Sequence, residues 1–251
     1  MISVIITIFK IIFILGFLVF IHEGGHFLIA KLCKVKVNEF AIGFGPTIWR
    51  KQGKETKYAL RLIPLGGFVN MEGEEESSEN EGSFSKASIS KRIAIIAAGG
   101  LVNIIFALIV YFILMACLRN NVSYAFSETS KFAFSIFDSL KMLFTGNVSI
   151  DQMVGPVGIS EIVAQTTGIA EFVYILAVIS ISLGFTNLLP FPPLDGGKIV
   201  ILLIEAIRRK PMSEKLEISI QMAGFVLLIG LSILVTYNDV LRIFWNYLAI
   251  Y

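Results

Sequence analysis

Four apolar stretches constrain this chain more than any other feature. They run from about residue 2 to 32, 93 to 118, 172 to 189 and 218 to 236. Each is close to the roughly 20 residues that a helix needs to cross a bilayer. In hydrocarbon, backbone N–H and C=O groups must be satisfied within the protein, so continuous runs of this length predict helices. The whole composition agrees, with 55% hydrophobic and 16% charged residues, which is ordinary for a small multi-pass membrane protein and odd for a soluble domain. The expected fold is therefore an α-helical multi-pass membrane protein, one domain over residues 1–251, with about four transmembrane helices. The first stretch is not read as a signal peptide, because Lys10 interrupts its apolar part and no small-residue cleavage site follows. Residues 199–207 are apolar but too short to span, and predict a partial or interfacial helix. No internal repeat is present.

Basic residues orient these spans. The connection between the first and second holds Lys31, Lys34, Lys36, Arg50, Lys51, Lys54, Lys57, Arg61, Lys86, Lys91 and Arg92. The next holds only Arg119, Lys131 and Lys141, and the one before the fourth span holds Lys198, Arg208, Arg209, Lys210 and Lys215. The positive-inside rule then places the first and third connections in the cytoplasm and both termini outside. A net charge of +2 is too small to draw nucleic acid. Cys33 and Cys117 lie in or beside apolar segments and suggest no disulfide framework; packing is their favoured role, with zinc ligation the alternative.

The first connection is more than a loop. Residues 35–42 and 58–63 are rich in β-type side chains around Gln52-Gly53, and Gly43-Phe44-Gly45-Pro46 and Pro64-Leu65-Gly66-Gly67 punctuate them. They predict a small membrane-associated β-sheet between the first two spans, with an ordinary cytoplasmic hairpin as the simpler reading. The acidic run over residues 72–81 follows, without an apolar anchor, and predicts a solvated, mobile loop.

Two constellations carry chemistry. His22-Glu23-Gly24-Gly25-His26 uses both histidines of the chain and ends an apolar run. Positions four apart share a helix face, so His22 and His26 can bind one cation. Glu23, one residue along, can reach a water on it, as in H-E-x-x-H zinc hydrolases. Ionisable groups at membrane depth are costly and usually functional, which weighs against two idle helix-end histidines. The second is Asn187-Leu188-Leu189-Pro190-Phe191-Pro192-Pro193-Leu194-Asp195-Gly196-Gly197. Its prolines end the third span. With no third histidine available, Asp195 is the natural third zinc ligand, leaving a fourth position for water. A simple cap on the helix that starts near Gly196 is the alternative role.

These residues resemble the site-2 protease family of intramembrane zinc metalloproteases, peptidase family M50, in its bacterial sigma-E-regulator branch. His22 to His26 matches the family's H-E-x-x-H, and Asn187 to Gly197 its N-x-x-P-x-x-x-L-D-G pattern. Residues 40–46 and 64–69 resemble the branch's β-loop, Gly99-Gly100-Leu101-Val102-Asn103 its second-span motif, and Gly155-Pro156-Val157-Gly158-Ile159 the run before span three. The resemblance implies a Zn2+ cofactor held by His22, His26 and Asp195, with Glu23 as general base. It also implies that Asn187 binds substrate backbone or the developing oxyanion. Candidate substrate contacts in the β-loop are Phe40, Gly43, Gly45, Leu60, Leu62, Gly66 and Gly67. Implied substrates are single-pass membrane proteins or leftover signal peptides. The implied location is the bacterial cytoplasmic membrane, with the active site toward the cytoplasm.

One departure stands out. The branch normally carries PDZ domains between spans two and three, yet residues 119–154 are too few for one of the smallest usual domains. Residues 132–144 read there as an amphipathic helix. Two other function classes compete with a protease. A membrane metal-ion transporter would need polar ligands along several spans, and spans two and four offer little beyond Asn103 and Gln221. A silent scaffold would not need Glu23.

Overall fold

The computed structural model describes residues 2–74, 78–145 and 154–248. Along them lie helix α1 (Ile2–Leu32), strands β1 (Val37–Gln52) and β2 (Lys57–Met71), and helices α2 (Ile89–Arg119), α3 (Val122–Phe144), α4 (Pro156–Gln165), α5 (Ile169–Asn187), α6 (Asp195–Arg208) and α7 (Glu214–Leu248). Four helices are long and apolar enough to cross a membrane, over Val4–Leu32, Ile89–Arg119, Ile169–Asn187 and Glu214–Trp245. The helix α6 covers the short apolar piece and has the length expected of a non-spanning helix.

The chain forms two compact units. One comprises residues 12–106 and 180–222, the other residues 1–11, 107–179 and 223–251. In the first unit, a core of Ala30, Val35, Val37, Val69, Met71, Phe84, Ile95, Ile96 and Leu202 joins the end of α1 to the sheet, α2 and α6. Each fully buried aliphatic side chain there contributes about 1.5–3 kcal/mol relative to exposure. The end of α1 is shaped to feed this core. Lys34 adopts φ 63°, and the amides of Lys34 and Val35 return to the carbonyls of Lys31 and Ala30. This Schellman turn satisfies terminal carbonyls and brings Val35 back onto Ala30.

The strands β1 and β2 pair antiparallel in one sheet. Both bend in the middle, where Gly43, Gly45 and Gly66 take positive φ values of 88°, 82° and 116°. L-residues with a Cβ adopt that region at a cost, so these glycines set the bends. As a result residues 39–42 have partners on two sides, residues 67–70 and residues 57–60. Glu39 locks the arrangement by accepting from Arg61 Nη2 at 2.9 Å and Lys57 Nζ at 3.0 Å. Phe44, Ile48, Trp49, Leu62 and Ile63 leave an apolar, exposed tip.

The start of the acidic run differs from a free loop. The Glu72 carboxylate accepts from Asn80, Lys36 and Ser78, which draws its pKa down to about 2. Glu74 pairs with Lys198 of α6 at 3.0 Å. Unlike charges were at hand on neighbouring elements, which composition along the run does not reveal; residues 75–77 lie outside the described residues.

In the second unit, α3 stacks Phe132 on Tyr111 of α2 with ring centroids 4.2 Å apart. The short helix α4 is held at both ends. Asp239 of α7, fully buried, accepts the Gly158 N–H at 2.8 Å, and Lys10 donates to the Thr166 carbonyl at 2.7 Å. A carboxylate at the N-terminus and a cation at the C-terminus both complement the helix dipole. Asp239 also accepts from Arg242 at 3.0 Å, and α7 continues to Leu248, past residue 236, where the apolar span was expected to end.

Candidate metal centre

His22 and His26 lie one turn apart on α1, each 9% exposed. Asp195 reaches them from the first turn of α6. The seven residues before it cannot continue α5, because Pro190, Pro192 and Pro193 have no amide hydrogen to donate. They fold instead into successive tight turns, with Leu189, Phe191 and Leu194 donating to Thr186, Leu189 and Phe191. The first turn of α6 packs directly on this backbone. A Cβ at Gly197 would fall 2.6 Å from Pro192 N, and one at Gly196 would overlap the carbonyls of Leu188 and Leu189. Asp195 therefore sits where a close backbone crossing places it.

Three ligand-type atoms converge. His22 Nε2 lies 3.2 Å from His26 Nε2, and Asp195 Oδ2 lies 3.2 Å from the first and 3.4 Å from the second. Tetrahedral zinc with bonds of about 2.0–2.1 Å places its ligand atoms about 3.3 Å apart. The observed triangle has that size. Its chemistry agrees as well. The Nδ1 of His26 is 2.8 Å from the Ile95 carbonyl, which can only accept, so Nδ1 carries a proton and Nε2 of the neutral ring presents a lone pair. Asp195 Oδ2 is buried and makes no hydrogen bond of good geometry. The acceptor atoms of Asp195 and His26 face each other at this point with His22 Nε2 beside them, and a cation satisfies such a set. The residues fit zinc. Cys33 packs on the hydrophobic core and Cys117 is exposed; neither joins the cluster.

Small residues on α1 and α2 make the convergence possible. A Cβ at Gly25 would come within 2.6 Å of the Ala98 carbonyl, so α1 and α2 touch backbone to backbone. A Cβ at Gly99 would overlap the tips of both imidazoles. Gly100 and Gly184 do the same for α2 and α5, where a Cβ on Gly184 would meet the Gly100 carbonyl at 2.5 Å.

A cavity of about 910 Å³ opens from the cluster. Glu23 lines it beside His22, His26 and Asp195, as do residues 67–71 of β2, Glu74, Arg92, Lys198, Glu217 and Gln221. Its mouth is charged but paired. Burial works against the Lys198 cation, yet Glu74, together with Asp195 and Glu217, offsets this and holds its pKa above the ordinary lysine value. Arg92 pairs with the buried Glu205 at 3.1 Å.

Of the β-loop candidates, Gly67 lines this cavity, and a Cβ there would stand 3.1 Å from Glu23 Cγ. Phe40 packs instead among Phe20, Phe27 and Tyr58, while Gly43, Gly45 and Gly66 form the bends and Leu60 and Leu62 are exposed. Asn187 closes α5, half-buried, outside the set of residues lining the cavity. Residues 68–71 were not among the substrate contacts expected from the sequence, although 68 and 69 belong to the β-loop motif. Their place at the cavity follows from the bend at Gly66; the local pattern marks a break there but not what the bend brings the strand against.

The sequence pattern described as Peptidase family M50 matches residues 10–231. The chain belongs to this family. A putative zinc metalloprotease of Clostridium acetobutylicum is 29% identical over 90% of this chain and 94% of its own length. The regulator of sigma-W protease RasP of Bacillus subtilis is 25% identical over 95% and 99%. The zinc metalloprotease RasP of Shouchella clausii is 44% identical over 51% of this chain and 31% of its own. The protein is a bacterial membrane protein and a zinc-dependent intramembrane protease acting on membrane-protein substrates. Nothing in these similarities favours a metal-ion transporter.

Proposed function

We propose that His22, His26 and Asp195 hold the catalytic zinc and that Glu23 is the general base. One observation carries this reading: three ligand-type atoms 3.2–3.4 Å apart, in a cavity that Glu23 also lines. Bound there, zinc supplies a Lewis acid that polarises the scissile carbonyl and lowers the pKa of an attacking water. Glu23 takes that water's proton and delivers it to the leaving amine nitrogen. A transmembrane helix hides its own amides, so the substrate unwinds before attack. Residues 67–71, beside Glu23, offer the unwound segment a strand to lie along, as in β-augmentation. Asn187 donates to the substrate backbone or oxyanion, a role supported by the family pattern alone. The sheet, residues 37–71, reads the substrate in the absence of room for an outer PDZ domain.

The substrates of this reading are single-pass membrane regulators and leftover signal peptides. The basic first and third connections support a metal centre toward the cytoplasm and both termini outside. Glu23→Gln tests the chemistry. The variant is expected to retain zinc and to lose cleavage of a model transmembrane substrate by at least 100-fold, the lower range for general base catalysis. Zinc content and product formation are measured on the same purified protein. Parent-like cleavage by Glu23→Gln overturns the assignment.

A further inference from the structure

Both histidines lean on one face of α2. Ile95, Gly99 and Asn103 are spaced four apart and form a single stripe. The Ile95 carbonyl accepts from His26 Nδ1 at 2.8 Å, Gly99 leaves room for the imidazole tips, and the Asn103 amide faces His22 Nδ1 at 3.5 Å. Asn103 is fully buried. Its Nδ2 is the atom nearest His22, while its Oδ1 is buried with no hydrogen-bond partner among the described residues. With Nδ2 donating, His22 Nδ1 is an acceptor and the ring proton lies on Nε2, which closes that nitrogen to a metal. Turning the amide half-way round exchanges its oxygen and nitrogen at almost no change in shape. Oδ1 then gains a donor, Nδ1 carries the proton, and the Nε2 lone pair faces Asp195 and His26. Ser180 Oγ donates to the Asn103 main-chain carbonyl at 2.9 Å, tying this turn of α2 to α5.

We propose that Asn103 is a positioning residue that accepts the His22 Nδ1–H through Oδ1 and fixes the tautomer whose Nε2 binds zinc. The Ile95 carbonyl does the same for His26, so α2 sets both rings while contributing no ligand. Outer partners of this kind typically change metal affinity 10–100-fold. The inference rests on the zinc-centre reading above.

The chain has only two histidines, so ¹⁵N-histidine labelling of the full-length protein in detergent reports these two rings alone. In the zinc-loaded parent, both Nδ1 atoms are expected to be protonated and both Nε2 atoms metal-bound. Asn103→Leu, branched alike but without an acceptor, is expected to bind zinc about 10–100-fold more weakly against a chromophoric chelator. Asn103→Asp, which still accepts, restores affinity to within a few-fold. Zinc bound through His22 Nδ1, or parent-like affinity in Asn103→Leu, overturns this inference and leaves the zinc centre standing. Zinc that perturbs neither histidine overturns the zinc-centre reading itself. The parent spectrum needs no variant, so poor folding of Asn103→Leu leaves the test intact.

Discussion

Asp195 is the residue on which the most separate features depend. It is the sole proposed ligand outside α1, and three prolines and two glycines are used to seat it. Asp195→Ala is expected to lower zinc occupancy as strongly as His22→Ala or His26→Ala, measured by metal analysis after purification at limiting zinc. Undiminished zinc in Asp195→Ala would move the third ligand elsewhere, since the N-cap of α6 is Leu194 and no side-chain cap is made there. Gly99 makes the opposite kind of demand, since what matters is the side chain it lacks. Gly99→Ala places a methyl group against both imidazole tips. Zinc affinity should fall by at least 10-fold while α2 keeps its helicity, because alanine is the better helix former. Parent-like affinity would show that the rings have space to spare.

Among the elements, the β1–β2 sheet depends on one carboxylate at its fold-back. Partial burial pushes the Glu39 pKa up, but hydrogen bonds from Arg61 and Lys57 outweigh it and hold the group below its ordinary value of 4.5. A carboxylate lowered on folding stabilises above its unfolded pKa and loses that contribution as pH falls through the folded one. Sheet stability is therefore expected to be level near neutrality and to decline below about pH 4.5. Glu39→Gln should remove most of that decline. Limited proteolysis of residues 37–71 across this range checks both, and an identical profile in Glu39→Gln would refute the role. The helix pair α2 and α6 depends on a buried ion pair. Glu205 takes Arg92 at 3.1 Å and also accepts the Met212 amide at 2.7 Å, where the chain turns toward α7. Arg92→Ala leaves a buried carboxylate without its cation, which costs about 3–5 kcal/mol. The expected result is a lower midpoint in detergent-based unfolding, and an unchanged midpoint would mean that water replaces the guanidinium.

For the molecule as a whole, zinc joins α1 to α6 across more than 160 residues of sequence in the proposed centre. A ligand bound only by the folded state stabilises it by about 2.7 kcal/mol at 100 times its Kd. Chelation should thus lower Tm in the parent and leave Asp195→Ala almost unmoved, as followed by thermal scanning in detergent. Equal shifts in the two proteins would show that the metal acts elsewhere. The alignment to the Clostridium acetobutylicum relative spans 320 positions against 251 residues here, so that relative carries segments with no counterpart in this chain. Between α2 and α5 this chain has the helices α3 and α4 among its described residues.

The spans, the H-E-x-x-H pair and the proline-broken aspartate were legible in sequence for a common reason. Each is a local pattern: apolar length, helical spacing, or a missing amide hydrogen. The short α6 and the amphipathic character of residues 132–144 were legible on the same grounds. Only the tertiary structure decided what those patterns meet. Asn103 read as the last residue of a second-span motif, with no role of its own, until α1 placed His22 against it. Lys10 looked like an interruption of an apolar run and Asp239 drew no reading, yet together they hold the two ends of α4. The strand segment at the cavity is residues 67–71 because Gly66 bends β2, and a bend of this kind depends on what packs on either side of it. Periodicity records which way a residue faces along its own element. It holds no information about partners brought close by chain reversal, and most of this site is made from such partners.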